Sequence, residues 1–264
     1  MFKAPTQKYF SMNQTEKTIA LLKSIETGDP KPVAAINPNK YIQHNLGAGD
    51  GLAGFRALLL ARSKDSAKVN TLRAFSDGDY VVAHTDYNFS GPKVGFDIFR
   101  FENGLIVEHW DNQQEKPATP NPSGRSMTDG PTEPTDLSKT EDNKRLVRAF
   151  VDDILVNGKM DRLQGYFDGD AYSQHNPQIA DGLSGLGRAL AAMTKAGITM
   201  KYEKIHLVLG SGNFVLTASE GTLGGQPVAF YDLFRVVNGK IAEHWDTIQS
   251  IPPHSDWKNP NGKF

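Results

Sequence analysis

The tetrapeptide Glu-His-Trp-Asp occurs twice, at 108–111 and at 243–246. Residues two apart on an extended strand share a face, so His109 stands with Asp111 and His244 with Asp246. An imidazole beside a carboxylate can move a proton near neutral pH, and a carboxylate in apolar surroundings is a stronger base toward a carbon acid. Upstream of each copy lies a further aspartate, Asp97 in Asp-Ile-Phe-Arg and Asp232 in Asp-Leu-Phe-Arg. Such a trio could take a proton from the carbon α to a carbonyl and return one to a forming alkoxide. The alternative is a buried Asp–His pair that only satisfies both partners.

Whether the trio shares a face depends on the hairpin between the two blocks. If Asn103-Gly104 is a two-residue turn, Asp97 lies opposite Trp110; if Glu102-Asn103-Gly104 is a three-residue loop, Asp97 lies opposite His109. The second register is preferred, because it collects Asp97, Phe99, His109 and Asp111 on one face, and Arg100, Glu108 and Trp110 on the other. The same geometry sets Asp232 opposite His244, with Phe234 and Asp246 on that face.

Further candidates follow from alignment of the two halves. His44 and His175 sit in Gln-His-Asn blocks, either as pocket residues or as members of a helix cap or turn. His84 and Asp86 share a face and align with Ala218 and Glu220, so only the first half would have an extra histidine there. Cysteine is absent and no His-x₃-His spacing occurs, so neither a thiol nucleophile nor a metal site is expected. Gly47 to Gly51 does not continue as a dinucleotide fingerprint or P-loop, and no Gly-x-Ser-x-Gly elbow exists, so no cofactor is expected.

The positioning elements come in duplicate. Tyr41-Ile42-Gln43-His44-Asn45 recurs as Tyr172-Ser173-Gln174-His175-Asn176, and Asp50-Gly51-Leu52-Ala53-Gly54 as Asp181-Gly182-Leu183-Ser184-Gly185. With the two later blocks, four ordered matches make this an internal duplication. Each half opens with a helix behind a capping-box-like start, Asn13-x-x-Glu16 or Ser138-x-x-Glu141. Gly28 and Gly158 stand where those helices should stop. A second helix is expected near 52–63 and 183–195. Strands are expected at 80–89, 94–101 and 105–114, and again at 214–223, 228–236 and 240–249. Helices followed by an antiparallel sheet is the α+β pattern. The polar, proline-bearing stretch between the halves reads as a linker, giving domains at 1–117 and 138–264 with the linker at 118–137.

The 264 residues are 38% apolar, with 29 Lys+Arg against 30 Asp+Glu. A near-neutral surface has no electrostatic footprint for nucleic acid or anionic membrane. No stretch approaches the roughly 20 apolar residues of a spanning helix, and the first ten residues lack the apolar core of a secretory signal. A soluble protein is expected, in the cytoplasm ahead of the periplasm or the cell exterior, since the absence of cysteine fits any of these compartments.

Together, Asp-x-Phe-Arg-x-x-Asn-Gly-x-Ile-x-Glu-His-Trp-Asp, Tyr-x-Gln-His-Asn and Asp-Gly-Leu-x-Gly resemble SnoaL-like proteins of the nuclear transport factor 2-like superfamily. The resemblance implies two tandem cones, each a strongly curved sheet and helices around a pocket. The family's polyketide cyclases close rings by aldol condensation without metal or organic cofactor, using an aspartate late in the last strand. Asp111 and Asp246 match that position. Asp97 and Asp232 stand where the cyclases have a histidine. Three functions follow as expectations: a cofactor-independent lyase or isomerase acting on a small carbonyl compound, a non-catalytic binder of a hydrophobic small molecule, or a structural tandem. Trp110 and Trp245 are expected at a packing of the outer sheet faces, within the chain or in a homo-oligomer.

Overall fold

A computed structural model describes residues 11–61, 67–89 and 91–264. The first ten residues, and the expected helix end at 62–63, lie outside them. By contacts the chain divides into two compact units, Met1–Asp111 with Pro252–Phe264, and Asn112–Ile251.

The first unit begins with α1 (Gln14–Thr27), whose Asn13 and Glu16 form the reciprocal capping box, and which ends on left-handed Gly28. Leu21, Leu22 and Ile25 project from one side of α1 into the core with Val69, Val81 and Phe101. There follow the two-residue strand β1 (Ile42–Gln43), α2 (Gly51–Ala61), and four longer strands: β2 (Lys68–Asp77), β3 (Tyr80–Asn88), β4 (Pro92–Glu102) and β5 (Leu105–Glu115). They form one sheet in the order β1-β5-β4-β3-β2. β1 runs parallel to β5, pairing Gln43 with His109.

The second unit repeats the order: α3 (Thr140–Phe150), β6 (Ser173–Gln174), α4 (Gly182–Lys195), β7 (Met200–Ser211), β8 (Phe214–Leu223), β9 (Gln226–Val237) and β10 (Lys240–Ser250). Its sheet runs β6-β10-β9-β8-β7, and both units are thus α+β. Val147, Phe150, Val151 and Ile154 pack with Phe230, Phe234 and Ile241. Two expectations fail here. A short 3-10 turn, Leu137–Lys139, precedes α3 and puts Lys139 rather than Ser138 at the N-cap position, so Ser138 forms no cap. β2 and β7 went unforeseen, since their alternation is interrupted by bulges near Thr71/Arg73, and near Tyr202/Lys204 and Ile205/Leu207. Those bulges bend the outer strand of each sheet.

The Asp-Gly-Leu-x-Gly motif is a folding device. A Cβ on Gly54 would meet the Gly49 carbonyl oxygen at 1.9 Å, and one on Gly185 the Ala180 carbonyl oxygen at 2.2 Å. Only glycine lets the second helix lie that close to its preceding loop. Among the described residues no helix is long and apolar enough to cross a membrane.

Candidate functional site

The last hairpin decides which side chains meet, and it differs from the preferred register. Asn238 and Gly239 both have positive φ, and Val237 pairs with Lys240, so the loop is a two-residue turn. A bulge between Ile241 and Glu243 then restores the alternation. Asp232 therefore lies opposite Asp246 rather than opposite His244, which faces Phe234. Bulge and turn together still leave Asp232, Phe234, His244 and Asp246 on one face. The first hairpin has the same turn signature, with positive φ at Asn103 and Gly104.

In the second unit His244 Nε2 is 3.0 Å from Asp232 Oδ1, and its Nδ1 is 3.0 Å from Gln174 Oε1. That Gln174 oxygen also accepts the Asn176 backbone N–H, so it is an acceptor and His244 Nδ1 must carry a proton. Tyr202 donates its hydroxyl to Asp232 at 3.2 Å. Asn176 donates its amide to Asp246 Oδ2 at 2.7 Å, while the buried Asp246 Oδ1 has no hydrogen-bond partner. Burial pushes the Asp246 carboxyl above its ordinary range; His244 opposes this and Asp232 adds to it. Burial alone would push His244 down, but the hydrogen bond to Asp232 and the charges of Asp246 and Asp232 hold it above its ordinary value.

This cluster opens on a cavity of about 520 Å³ lined by Tyr172, Tyr202, Asp232, Phe234, His244 and Asp246, with Leu186, Leu190 and Met193 of α4 forming an apolar wall. Gln174 Nε2 donates to the Tyr172 hydroxyl at 3.2 Å, which leaves that hydroxyl's own proton for an acceptor in the cavity.

The first unit repeats the circuit. His109 spans Asp97 Oδ1 (3.0 Å) and Gln43 Oε1 (2.9 Å), Tyr87 donates to Asp97 Oδ2 at 2.6 Å, and Asn45 donates to Asp111 Oδ2 at 2.5 Å. Phe99 stacks on His109 and Phe234 on His244, with ring centroids 4.4 and 4.8 Å apart. Two features differ. The phenol comes from β3 in one unit and β7 in the other: Tyr87 pairs with Val69, whereas Tyr202 pairs with Gly221. In addition, the buried Lys263 ammonium donates to the Asp111 carbonyl at 2.6 Å and lies 4.0 Å from Asp111 Oδ1. Burial pushes that ammonium's pKa down against the pull of Asp111 and Asp97.

Five expected pocket residues in strands or blocks point elsewhere. Ala83 pairs with Asp97 and Thr217 with Asp232, so the strand alternation sends His84, Asp86 and Glu220 to the opposite face. There His84 Nδ1 meets the Arg73 guanidinium and its ring stacks on Phe96, while Glu220 faces His206 at 3.2 Å. His44 and His175 also leave the pocket. Each stacks on its unit's tryptophan and reaches Glu108 or Glu243, which the arginines Arg100 and Arg235 also hold.

The block's working members are Gln43 and Asn45, and Gln174 and Asn176. They could have been found by alternation, since the residue before and after an outward histidine must face inward. Trp110 and Trp245 are buried as expected, yet by neighbours in their own units. Trp245 donates its N–H to the Asp129 carbonyl, from the stretch read as a linker.

Asp232, His244 and Asp246 offer one ligand atom each within 4.8 Å, a spacing a metal ion could use. His244 Nε2, however, is engaged at 3.0 Å by Asp232 and Nδ1 by Gln174, so a metal would have to displace the hydrogen bonds that orient the ring.

Residues 147–244 match the SnoaL-like domain family. No curated protein matches the chain in sequence. Among solved structures, it is similar to IdmH from Streptomyces antibioticus (20% identity, 39% of this chain and 93% of that one, TM-score 0.34). An M. tuberculosis LEH-like epoxide hydrolase is similar at 26% identity, over 42% of this chain and 85% of the other, with a TM-score of 0.33. An NTF2-like protein of unknown function from Cytophaga hutchinsonii is similar at 14% identity, over 39% and 92%, with a TM-score of 0.34. The matched residues lie within the second repeat, and the first repeats its strand order, its Asp–His–Asp trio and the block that supports it.

Proposed function

We propose that the second unit is a cofactor-independent lyase or isomerase that moves a proton α to a carbonyl on a small apolar compound, with Asp246 as the base. The observation that carries this reading is the buried, unpartnered Asp246 Oδ1 at the wall of an apolar cavity of about 520 Å³. That volume lies within the range of small-molecule sites. Desolvation raises the proton affinity of Asp246, which suits it to take a proton from carbon and give it back.

Asn176 fixes one carboxylate oxygen, so the other is aimed by default. His244, turned by Gln174 and Asp232, supplies positive charge beside the carboxylate. Tyr202 holds Asp232 in place. The Tyr172 hydroxyl is the donor available to a developing enolate oxygen, since its lone pair is already engaged by Gln174. The tandem boundaries at 117 and 137 belong to the same proposal.

The test needs no knowledge of the physiological substrate. A panel of small apolar ketones and β-dicarbonyls in D₂O reports α-proton exchange by NMR. Exchange catalysed by the wild type should fall at least about 100-fold in Asp246→Asn, which keeps the shape but cannot accept a proton. Equal exchange in the two proteins would transfer the reading to a non-catalytic binding protein.

A further inference from the structure

Each Gln-His-Asn block is gripped by a strap with its own sequence signature, Asn121-Pro122-Ser123-Gly124-Arg125 for the second unit and Asn259-Pro260-Asn261-Gly262-Lys263 for the first. The two straps make the same three kinds of contact. Asn121, itself buried, donates its amide to the carbonyls of Gln174 and Ile179, at 2.6 and 2.9 Å. Asn259, also buried, donates to those of Asn45 and Ala48, at 2.8 and 3.0 Å. The Ser126 carbonyl accepts from His175 Nδ1 at 2.7 Å, as the Gly262 carbonyl does from His44 Nδ1 at 3.0 Å.

The third contact is to the aspartate that anchors the block. Arg125 forks onto Asp181, and Asn261 donates to Asp50 Oδ1 at 2.8 Å. Those aspartates accept the Gln174 and Gln43 backbone N–H groups. Each block therefore has its carbonyls, its histidine ring and its anchoring aspartate tied to one strap.

In sequence the straps are exchanged. Residues 121–125 follow the first repeat's sheet yet belong to the second compact unit, and residues 259–263 follow the second repeat's sheet yet belong to the first.

We propose that Asn121 and Asn259 are positioning residues for the Asp–His–Asp trios of the two units, and that each trio is completed by the strap following the other repeat. This rests on the acid/base reading above. Asn121 and Asn259 touch no reacting atom; each fixes its block, and the block aims Gln174 at His244 and Asn176 at Asp246, or Gln43 at His109 and Asn45 at Asp111. A loosened block would let the imidazole turn and the carboxylate swing, and a misplacement of about 1 Å is enough to cost about 100-fold in rate.

The experiment is ¹⁵N histidine-ring NMR on the full chain, without substrate. Asn121→Ala should change the ring signals of His175 and His244 and lower the His244 titration midpoint toward the ordinary value of about 6.5, leaving His44 and His109 as in the wild type. Asn259→Ala should do the reverse, changing His44 and His109 only. Unchanged rings in both folded variants, or changes confined to the repeat that precedes each strap in sequence, would overturn the proposal. Should an alanine variant fail to fold, Asn121→Asp and Asn259→Asp keep the size and the turn-forming oxygen while replacing the amide donors by a carboxylate oxygen, and the same signals decide. Because no turnover is involved, a wild type without exchange activity would sink the acid/base reading alone.

Discussion

The two units keep one circuit by different means. In the first, Tyr87 reaches Asp97 from β3; in the second, Gly221 occupies the matching position and Tyr202 reaches Asp232 from the paired strand β7. A side chain at 221 has no room, since a Cβ there would meet the Lys201 carbonyl oxygen at 2.0 Å and the Phe230 ring at 3.0 Å. Tyr202 instead stacks on Phe230, with centroids 4.0 Å apart. A phenol on the aspartate is thus retained although the position supplying it is not, as expected of a group needed for its hydrogen bond rather than for packing at one site. The carboxylates at the cavity end differ more. Asp246 lines an apolar cavity, whereas Asp111 has an ammonium 4.0 Å away. The comparison teaches that copying the trio does not copy its chemistry.

The largest expected effect separates the two carboxylates. Asp246→Asn should remove at least about 100-fold of α-proton exchange, while Asp111→Asn changes it by no more than about threefold. Equal losses would break the asymmetry. Next in size, Tyr202→Phe should lower exchange by about tenfold and stability by about 1–3 kcal/mol, because it leaves the buried Asp232 short of a donor. A neutral result, measured by exchange rate and urea midpoint, would reduce the relocated phenol to coincidence.

The pH dependence follows from the raised His244 and Asp246 values. A histidine raised on folding contributes stability in full below its unfolded value of about 6.5, and that contribution is lost as pH rises through the folded value. Asp246, also raised, holds its proton longer in the folded state, so stability falls with rising pH above about 3.9 as well. Urea midpoints of the wild type should therefore decline from pH 5 to pH 8, and His244→Gln should flatten the part above about pH 6.5. A midpoint that rises over that range would contradict both assignments. The smallest effect concerns the chain between the sheets. Brief proteolysis should cut in the exposed residues 117–120 or 131–133, rather than at the buried Asn121 and Met127. Early cleavage at 121–127 would show that the strap is not held.

Much of this was legible in sequence. The duplicated Glu-His-Trp-Asp and Asp-x-Phe-Arg blocks identify the trio because strand alternation is independent of the fold around it. The face survived even though the pairing was off, since the unforeseen bulge between Ile241 and Glu243 compensates for the shorter turn. Within Gln-His-Asn the histidine drew attention for its chemistry, but β1 turns it outward, and His84 and Asp86 were misplaced by the same neglect of parity. Lys263 and the straps were missed because their role lies in long-range contacts: Asn-Pro-x-Gly is ordinary turn composition, and only the structure shows what each copy holds.

The exchanged straps also set an order of events during synthesis. The first unit includes Pro252–Phe264, so its site cannot close until roughly 140 further residues of the second unit have been made. At about 5–20 residues per second, that is a wait of roughly 7–28 s. Throughout it the Gln43–Asn45 block lacks its partners, whereas the second unit has its strap in hand before its own first helix emerges. The N-terminal half, translated first, is the half finished last.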